Sequence, residues 1–317
     1  MICALGDIRG DVTVFCAHSD TVFPDEEPYP LRREGNRIFC PGIGDDTANV
    51  VCMLLALSDL LKRGARPKAG GVIFAVDSGE EGLGNLRGCR KLMDTYGARV
   101  KEFIAFDLGT PRILHIPVGS KRFRVTVKTE GGHSFSDFGK PNAIEKLAGI
   151  LGELYALPVP AEGKTTYNVG KIEGGTSVNT VAQSASMLFE YRSDSRAAIT
   201  AMEEAFFAVL ERHRTDGVEI GAEVIGDRPT AFGVDAEKQA ALLSRVQAIV
   251  ERHTGEKASL EYGSTDCNIP ASMGIPSLCL GCIKTGGTHT REEYVEADSL
   301  EGGVALAKAV IGMYFEE

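Results

Sequence analysis

Three short apolar runs, each followed by side chains that can bind a metal ion, constrain this sequence more than any other feature. The runs span residues 12–17, 72–76 and 102–106. Short continuous apolar runs of this kind are typical of buried strands. Ligands bind at strand ends in open α/β sheets. We therefore expect an α/β fold whose functional site gathers at one edge of a sheet.

Acidic and histidine side chains follow all three runs. His18 and Asp20 come after the first run, Glu80 and Glu81 after the second, and Asp107 after the third. A carboxylate two residues from a histidine can fix the orientation of a metal-binding imidazole. Adjacent carboxylates can divide two tasks, with one binding a cation and the other transferring a proton. Taken singly, a loop histidine beside a capping aspartate and a solvated acidic pair would explain the same residues.

Two further segments carry candidate ligands. Asp45 and Asp46 stand after a glycine and just before a helical pattern at residues 47–63. One aspartate suffices as a helix N-cap, so the second is a candidate carboxylate bridge between two metal ions. His289 lies in a glycine-rich loop after a predicted strand at residues 277–280, and it completes the set of candidate ligands.

Composition excludes several classes of partner. The 317 residues are 43% hydrophobic and 25% charged, with a net charge of −10 and no marked cluster of Lys and Arg, which argues against a nucleic-acid partner. The longest apolar run, residues 50–57, is far shorter than the roughly 20 residues that cross a bilayer. No signal-peptide pattern is visible, and the eight scattered cysteines suggest reduced thiols. We expect a cytoplasmic protein with no membrane partner.

A change of pattern near residue 117 predicts an inserted domain. From residue 121 onward polar and apolar residues alternate, as in a strand with one solvated face. The predicted elements then follow the order β-α-β-β-α-β, which is the split-βαβ arrangement. We expect a ferredoxin-like domain at residues 117–228, inserted into a discontinuous domain formed by residues 1–116 and 229–317.

The whole set of motifs resembles the M20 family of binuclear zinc metallopeptidases, which includes peptidase T, carboxypeptidase G2, succinyl-diaminopimelate desuccinylase and aminoacylase-1. The resemblance covers nearly the whole chain and has an insertion before its last motif. In chain order the motifs are His18-Ser19-Asp20, Gly44-Asp45-Asp46, Glu80-Glu81-Gly82, Asp107 and His289.

The resemblance implies a zinc-exopeptidase-like mixed sheet flanked by helices, with the inserted domain acting as a lid and dimerisation domain. It implies two divalent ions per chain, zinc first and cobalt or manganese as alternatives. His18 and Asp107 would bind one ion, Glu81 and His289 the other, and Asp45, with Asp46 as the alternative, would bridge them. Asp20 would orient His18. Glu80 would be the general base that takes a proton from a water bridging the two ions.

The inserted domain carries further family-like residues. The resemblance implies that His133 stabilises the oxyanion, in dimeric members within the partner subunit's site. It implies that Asn179 and Arg192 hold the free carboxylate of the substrate, and an arginine offers a planar fork for that group. An exposed strand arginine is an equally good explanation of Arg192. We expect a homodimer formed through the inserted domain.

The first expectation for function is a peptidase T-like exopeptidase that hydrolyses an amide bond in short peptides. The Asp45-Asp46 pair and the segment around Glu80 are the features closest to that branch. An amidohydrolase of N-acyl amino acids is the close alternative, and an inactive binding or assembly protein is the alternative from another class. Only residues 1–11 precede the first predicted strand, so we also expect marginal stability or a compensating partner.

Overall fold

The chain leaves the first of its two structural units after Pro117 and returns to it at Ala231. In the computed structural model, which describes residues 1–23 and 28–316, the first unit comprises Met1–Pro117 and Ala231–Glu317. The second unit comprises Val118–Thr230. One unit is therefore inserted into the sequence of the other.

Helices and strands alternate along most of the described chain. The helices are α1 Ala48–Arg63, α2 Arg87–Tyr96, α3 Ala143–Tyr155, α4 Arg196–Arg212, α5 Ala236–Thr254, α6 Asn268–Ser272 and α7 Ser299–Gly312. The strands are β1 Ile2–Gly6, β2 Val12–His18, β3 Arg32–Glu34, β4 Arg37–Phe39, β5 Gly71–Asp77, β6 Val100–Phe106, β7 Arg112–Pro117, β8 Gly119–Thr129, β9 Gly132–His133, β10 Thr165–Gly174, β11 Thr180–Val181, β12 Ser184–Ser193, β13 Val218–Arg228, β14 Ser259–Gly263, β15 Ser277–Leu280, β16 Thr285–Gly286 and β17 Tyr294–Glu296.

A seven-stranded mixed sheet forms the centre of the first unit. Its strand order is β1-β5-β2-β6-β15-β7-β14. Strand β2 pairs in parallel with both β5 and β6, and β15 pairs in parallel with β6. Strand β1 adds an antiparallel edge to β5. The mixed α/β fold expected from the sequence is confirmed.

Helices cover both faces of this sheet because its central strands are apolar on both sides. Phe15 of β2 belongs to the core packed by α1, α5 and α7, whereas the neighbouring Val14 and Cys16 belong to the core packed by α2. Helix α1 ends at Gly64, which has the left-handed φ of 62° that a glycine adopts at little cost. Because helices cover both faces of the sheet, strand β2 is buried along its whole length. It ends at His18.

The second unit is a four-stranded antiparallel sheet with two long helices. Its strand order is β10-β12-β8-β13, and along the chain the long elements follow the order β-α-β-β-α-β. On β8 the residues Phe123, Val125 and Val127 point into a core that α3 and α4 complete. In that core Phe206 of α4 stacks on Phe123 with ring centroids 4.3 Å apart.

Two general properties bear on the expectations above. All eight cysteines have free thiols. Within residues 1–23 and 28–316, no helix combines the length and the apolar character needed to cross a membrane.

Candidate metal centre

Five candidate ligands from separate segments meet at the carboxyl edge of the parallel strands. Two groups of side chains have ligand atoms within 4.8 Å of one another, namely His18, Asp45 and Asp107, and Asp45, Glu81 and His289. Asp45 belongs to both groups. His18 is the last residue of β2, Glu81 lies in the loop after β5, and Asp107 directly follows β6. Asp45 lies in the turn before α1, and His289 lies between β16 and β17. The ends of parallel strands therefore supply three of the five residues.

The two carboxylate oxygens of Asp45 face two different histidines. Oδ1 lies 3.0 Å from Nε2 of His18, and Oδ2 lies 3.1 Å from Nε2 of His289. The same nitrogen of His289 lies 3.5 Å from Oε1 of Glu81. This is the placement that a carboxylate needs to bridge two ions, each also bound by an imidazole.

The buried nitrogen of His18 provides a test of whether metal ions fit this site. Nε2 of His18 is buried and faces Oδ1 of Asp45 at 3.0 Å without a hydrogen bond of regular geometry. A buried imidazole nitrogen without a hydrogen bond is costly unless something else occupies its lone pair. Imidazole and carboxylate are the N and O ligands that zinc uses. The residues therefore fit divalent metal ions.

Asp20 holds both His18 and the acidic pair in position. Nδ1 of His18 donates to the backbone carbonyl of Asp20 at 3.1 Å, which leaves Nε2 directed at Asp45. The carboxylate of Asp20 accepts hydrogen bonds from the backbone N–H groups of Glu80 at 3.4 Å and Glu81 at 3.1 Å. Burial opposes ionisation of Asp20, but these bonds and His18 outweigh it and lower its pKa to about 2.

Asp45 and Asp46 have different environments, although they are adjacent and joined by a cis peptide bond. The side chain of Asp45 lies in both candidate ligand groups. Asp46 is buried and its Oδ2 accepts a hydrogen bond from the backbone N–H of His18 at 3.1 Å. Asp46 thus fixes the end of β2 from within the protein, while Asp45 faces the cluster.

Burial opposes ionisation of the acidic side chains in the cluster. Burial, with the nearby carboxylates of Asp45 and Glu80, raises the pKa of Glu81 to about 8. Burial and Asp45 also raise the pKa of Asp107. A hydrogen bond to Asp45, with the charge of Glu81, raises the pKa of His289 to about 9. Without cations Glu81 and His289 hold protons at neutral pH, and bound divalent ions would replace those protons.

Two buried polar residues near the cluster have no predicted role in the sequence analysis. Asn49 of α1 donates from Nδ2 to the carbonyl of Leu108 at 3.0 Å and accepts at Oδ1 from the N–H of Cys282 at 2.9 Å. Glu293 accepts hydrogen bonds from three backbone N–H groups in the segment that carries Asp45. The only sequence signals were an asparagine on the apolar face of a predicted helix and a glutamate four residues after His289.

In the second unit the structure brings two of the three predicted residues together. His133 and Asn179 lie at the paired short strands β9 and β11, where the N–H of Ser134 donates to the carbonyl of Asn179 at 3.0 Å. Arg192 lies on β12, and its Nε and one terminal nitrogen each lie 3.1 Å from the carboxylate of Glu190. The guanidinium of Arg192 therefore already has a carboxylate partner within its own unit.

A mixed sheet with histidines and carboxylates clustered at its carboxyl edge is the arrangement of a metal-dependent hydrolase. The model of Peptidase family M20/M25/M40 matches residues 14–312. The chain therefore belongs to this family, and it is an enzyme of the metallopeptidase and amidohydrolase class. The family resemblance found in the sequence is confirmed.

Similar proteins include hydrolases of several specificities. A succinyl-diaminopimelate desuccinylase of Methylorubrum extorquens is 25% identical over 329 residues, covering 96% of this chain and 83% of that protein. A solved tripeptidase from Staphylococcus aureus has a TM-score of 0.76 at 21% identity and covers 99% of this chain and 83% of that one. A dinuclear metal-binding peptidase of the M20 family from Bacillus subtilis has a TM-score of 0.63 at 17% identity, covering 98% of this chain and 84% of that one.

A second group of ionisable side chains lies in the interior on the α2 side of the sheet. It comprises Cys16, Asp77 and Asp266, whose polar atoms lie within 4.8 Å of one another. Both carboxylate oxygens of Asp77 and Oδ1 of Asp266 are buried and make no hydrogen bond to a donor. Burial raises the pKa of Asp77 to about 6, and burial together with the charge of Asp77 raises the pKa of Asp266 well above its usual value. Asp77 therefore loses its proton near pH 6.

The raised pKa of Asp77 predicts that the folded protein loses stability as pH rises. Because the pKa of Asp77 is higher in the folded state than the unfolded value of about 3.9, its contribution is fully present below about pH 4 and is lost as pH rises through about 6. Asp77→Asn removes this titration. We expect the unfolding free energy of the variant, minus that of the unchanged protein, to rise by about 2 kcal/mol between about pH 4.5 and pH 8.

Urea unfolding in the presence of a chelator measures this difference without a contribution from metal binding. Asp94→Asn, at an exposed position on α2, is the matched control and should show a difference that does not vary with pH. A constant difference for Asp77→Asn would show that the buried pair does not titrate in this range.

Proposed function

We propose that this enzyme is a metal-dependent exopeptidase that hydrolyses an amide bond in short peptides, with two zinc ions per chain. The observation that carries the proposal is the placement of Asp45, whose two carboxylate oxygens lie 3.0 Å from Nε2 of His18 and 3.1 Å from Nε2 of His289. Asp107 and Glu81 supply one further carboxylate to each side of this bridge.

When bound, the two ions would polarise the scissile carbonyl and lower the pKa of the attacking water. Every other task falls to side chains of the chain itself. His18, Asp107 and Asp45 would hold one ion, and Asp45, Glu81 and His289 the other. Asp20 would keep His18 and the Glu80–Glu81 segment in register through the hydrogen bonds described above.

Glu80 is the proposed general base. It adjoins the ligand Glu81, it is only 6% exposed, and Asp20 fixes its backbone. As the water oxygen bonds to the carbonyl carbon, the Glu80 carboxylate takes one water proton. It then gives that proton to the amine nitrogen as the C–N bond breaks. Both proton transfers use the same carboxylate, so Glu80 returns to its ionised form at the end of each cycle.

Short peptides are the first choice of substrate. The sequence around Glu80 and the Asp45–Asp46 pair is closest to the peptidase T branch, and a solved tripeptidase has a similar fold. Hydrolysis of N-acyl amino acids is the second choice, because a desuccinylase is 25% identical over nearly the whole chain. In either case His133, Asn179 and Arg192 of the second unit would contact the substrate, with Arg192 exchanging Glu190 for the substrate carboxylate.

We also expect a homodimer formed through the second unit. Phe135, Phe138 and Val178 are 87%, 91% and 100% exposed and adjoin His133 and Asn179. Large apolar side chains exposed beside functional residues favour a contact with another molecule. Light scattering should give a native mass of about 68 kDa, twice the 33.9 kDa of one chain. A monomeric mass at micromolar concentration would contradict the dimer.

Substituting Glu80 tests the reaction. With zinc-loaded protein and a panel of dipeptides, tripeptides and N-acyl amino acids, we expect amino-acid release from peptides. Glu80→Gln should lower kcat by about 100- to 10,000-fold, because general-base catalysis contributes an effect of that size. The zinc content of the variant should be unchanged, since Glu80 is not a proposed ligand.

Glu301→Gln, at an exposed position on α7, is the control and should keep full turnover. Equal turnover by Glu80→Gln would eliminate the assigned role. Hydrolysis of N-acyl amino acids in preference to peptides would favour the desuccinylase-like alternative. No hydrolysis of either class by zinc-loaded protein would contradict both proposed substrate classes.

A further inference from the structure

Glu293 is a buried carboxylate placed next to the cluster but outside both ligand groups. It is 1% exposed and lies four residues after His289, just before β17. Its backbone carbonyl accepts a hydrogen bond from the N–H of Cys40 at 3.0 Å. Both the main chain and the side chain of Glu293 thus bind the segment that leads to Asp45.

The side chain of Glu293 is surrounded by backbone donors. Oε1 accepts from the N–H groups of Gly44 and Asp45, both at 2.8 Å, and Oε2 accepts from the N–H of Gly42 at 2.9 Å. Three N–H groups converging on one carboxylate form an anion-binding nest of backbone dipoles. Hydrogen bonds to an ionised acceptor are stronger than those between neutral groups.

The nest requires glycine at two positions. Gly42 has the left-handed φ of 74°. A Cβ on Gly44 would lie 1.9 Å from Oγ1 of Thr285, which is too close for any side chain, and 3.2 Å from Oε1 of Glu293. The segment is therefore shaped so that its backbone can approach the carboxylate of Glu293.

One residue consequently links two ligands that are far apart in sequence. Glu293 binds the N–H of Asp45 and belongs to the loop that carries His289. Oδ2 of Asp45 and Nε2 of His289 face each other at 3.1 Å. Asp45, Glu81 and His289 would hold one ion, and two of these three residues depend on this separation. His18 and Asp107 would hold the other ion, and their site depends on the separation only through Asp45.

We propose that Glu293 is a positioning residue that sets the separation of Asp45 and His289 and so controls the affinity of the second of the two metal ions. This inference rests on the proposed binuclear site. An amide at this position could not accept from all three N–H groups, because its NH2 group can only donate. The segment that carries Asp45 would then shift relative to the loop that carries His289.

The test is zinc titration of the full-length protein against a chromophoric chelator. We expect Glu293→Gln to bind the weaker of the two zinc ions about 10- to 100-fold less tightly than the unchanged protein, the range found when a residue that supports a metal ligand is replaced. The tighter ion should change less. Activity lost at limiting zinc should return with excess zinc at unchanged KM, which a general loss of stability would not produce.

Glu292→Gln is the matched control, because Glu292 is the adjacent residue but is exposed and pairs with Arg32 at 2.6 Å. It should bind both ions as the unchanged protein does. If Glu293→Gln does not fold, Glu293→Asp replaces it, since the shorter carboxylate keeps the charge but withdraws from the nest.

Three outcomes separate this inference from the proposed function. Two ions in the unchanged protein and selective weakening of one in the Glu293 variant support the inference. If a folded Glu293 variant binds each of the two ions as tightly as the unchanged protein does, the inference is overturned and the proposed function stays intact. Fewer than two ions in the unchanged protein would overturn the binuclear site and the inference with it.

Discussion

The parallel pairing of β2 with β5 on one side and β6 on the other is the constraint on which the site depends. Three strands that run in the same direction end at the same edge of the sheet. His18, the Glu80–Glu81 segment and Asp107 therefore meet there, and no additional structural feature is needed to bring them together. Strand β15 extends the parallel set and delivers the loop of His289 to that edge. Because β2 is buried on both faces, a slip in its pairing would exchange the side chains that face its two cores, and the register that forms these cores also aligns the ligands.

The same burial disfavours the ionised form of several carboxylates in the cluster. Carboxylates in an interior with few solvating groups resist ionisation, as the raised pKa values of Glu81 and Asp107 show. Asp20 and Asp45 are the exceptions, because His18 and backbone N–H groups stabilise the charge of Asp20, and His18 and His289 stabilise that of Asp45. The protein does not compensate for the burial of Glu81 and Asp107, and bound divalent ions would stabilise the ionised forms of these two carboxylates.

The sequence predicted the strands and helices whose side chains face the core. It did not predict the roles of residues that act through hydrogen bonds to the backbone. The apolar runs of β2, β5 and β6 and the helix α1 were predictable because burial leaves a continuous apolar run in such strands and a periodic pattern in such a helix. Strand β3 is exposed and leaves no such pattern. Asn49 and Glu293 act through backbone groups more than 200 residues away in sequence, and no spacing rule connects them. The pairing of Arg192 with Glu190 could not be predicted from the sequence for another reason, because any arginine on a strand has several possible partners.

The central claim is that this edge holds two metal ions, and metal content per chain tests it most directly. After zinc loading and removal of excess zinc, elemental mass spectrometry should find about two zinc ions per chain. The value should fall to about one in His289→Ala and stay at about two in His253→Ala, whose histidine is exposed on α5. A value near zero in the unchanged protein, or no loss in His289→Ala, would contradict the account.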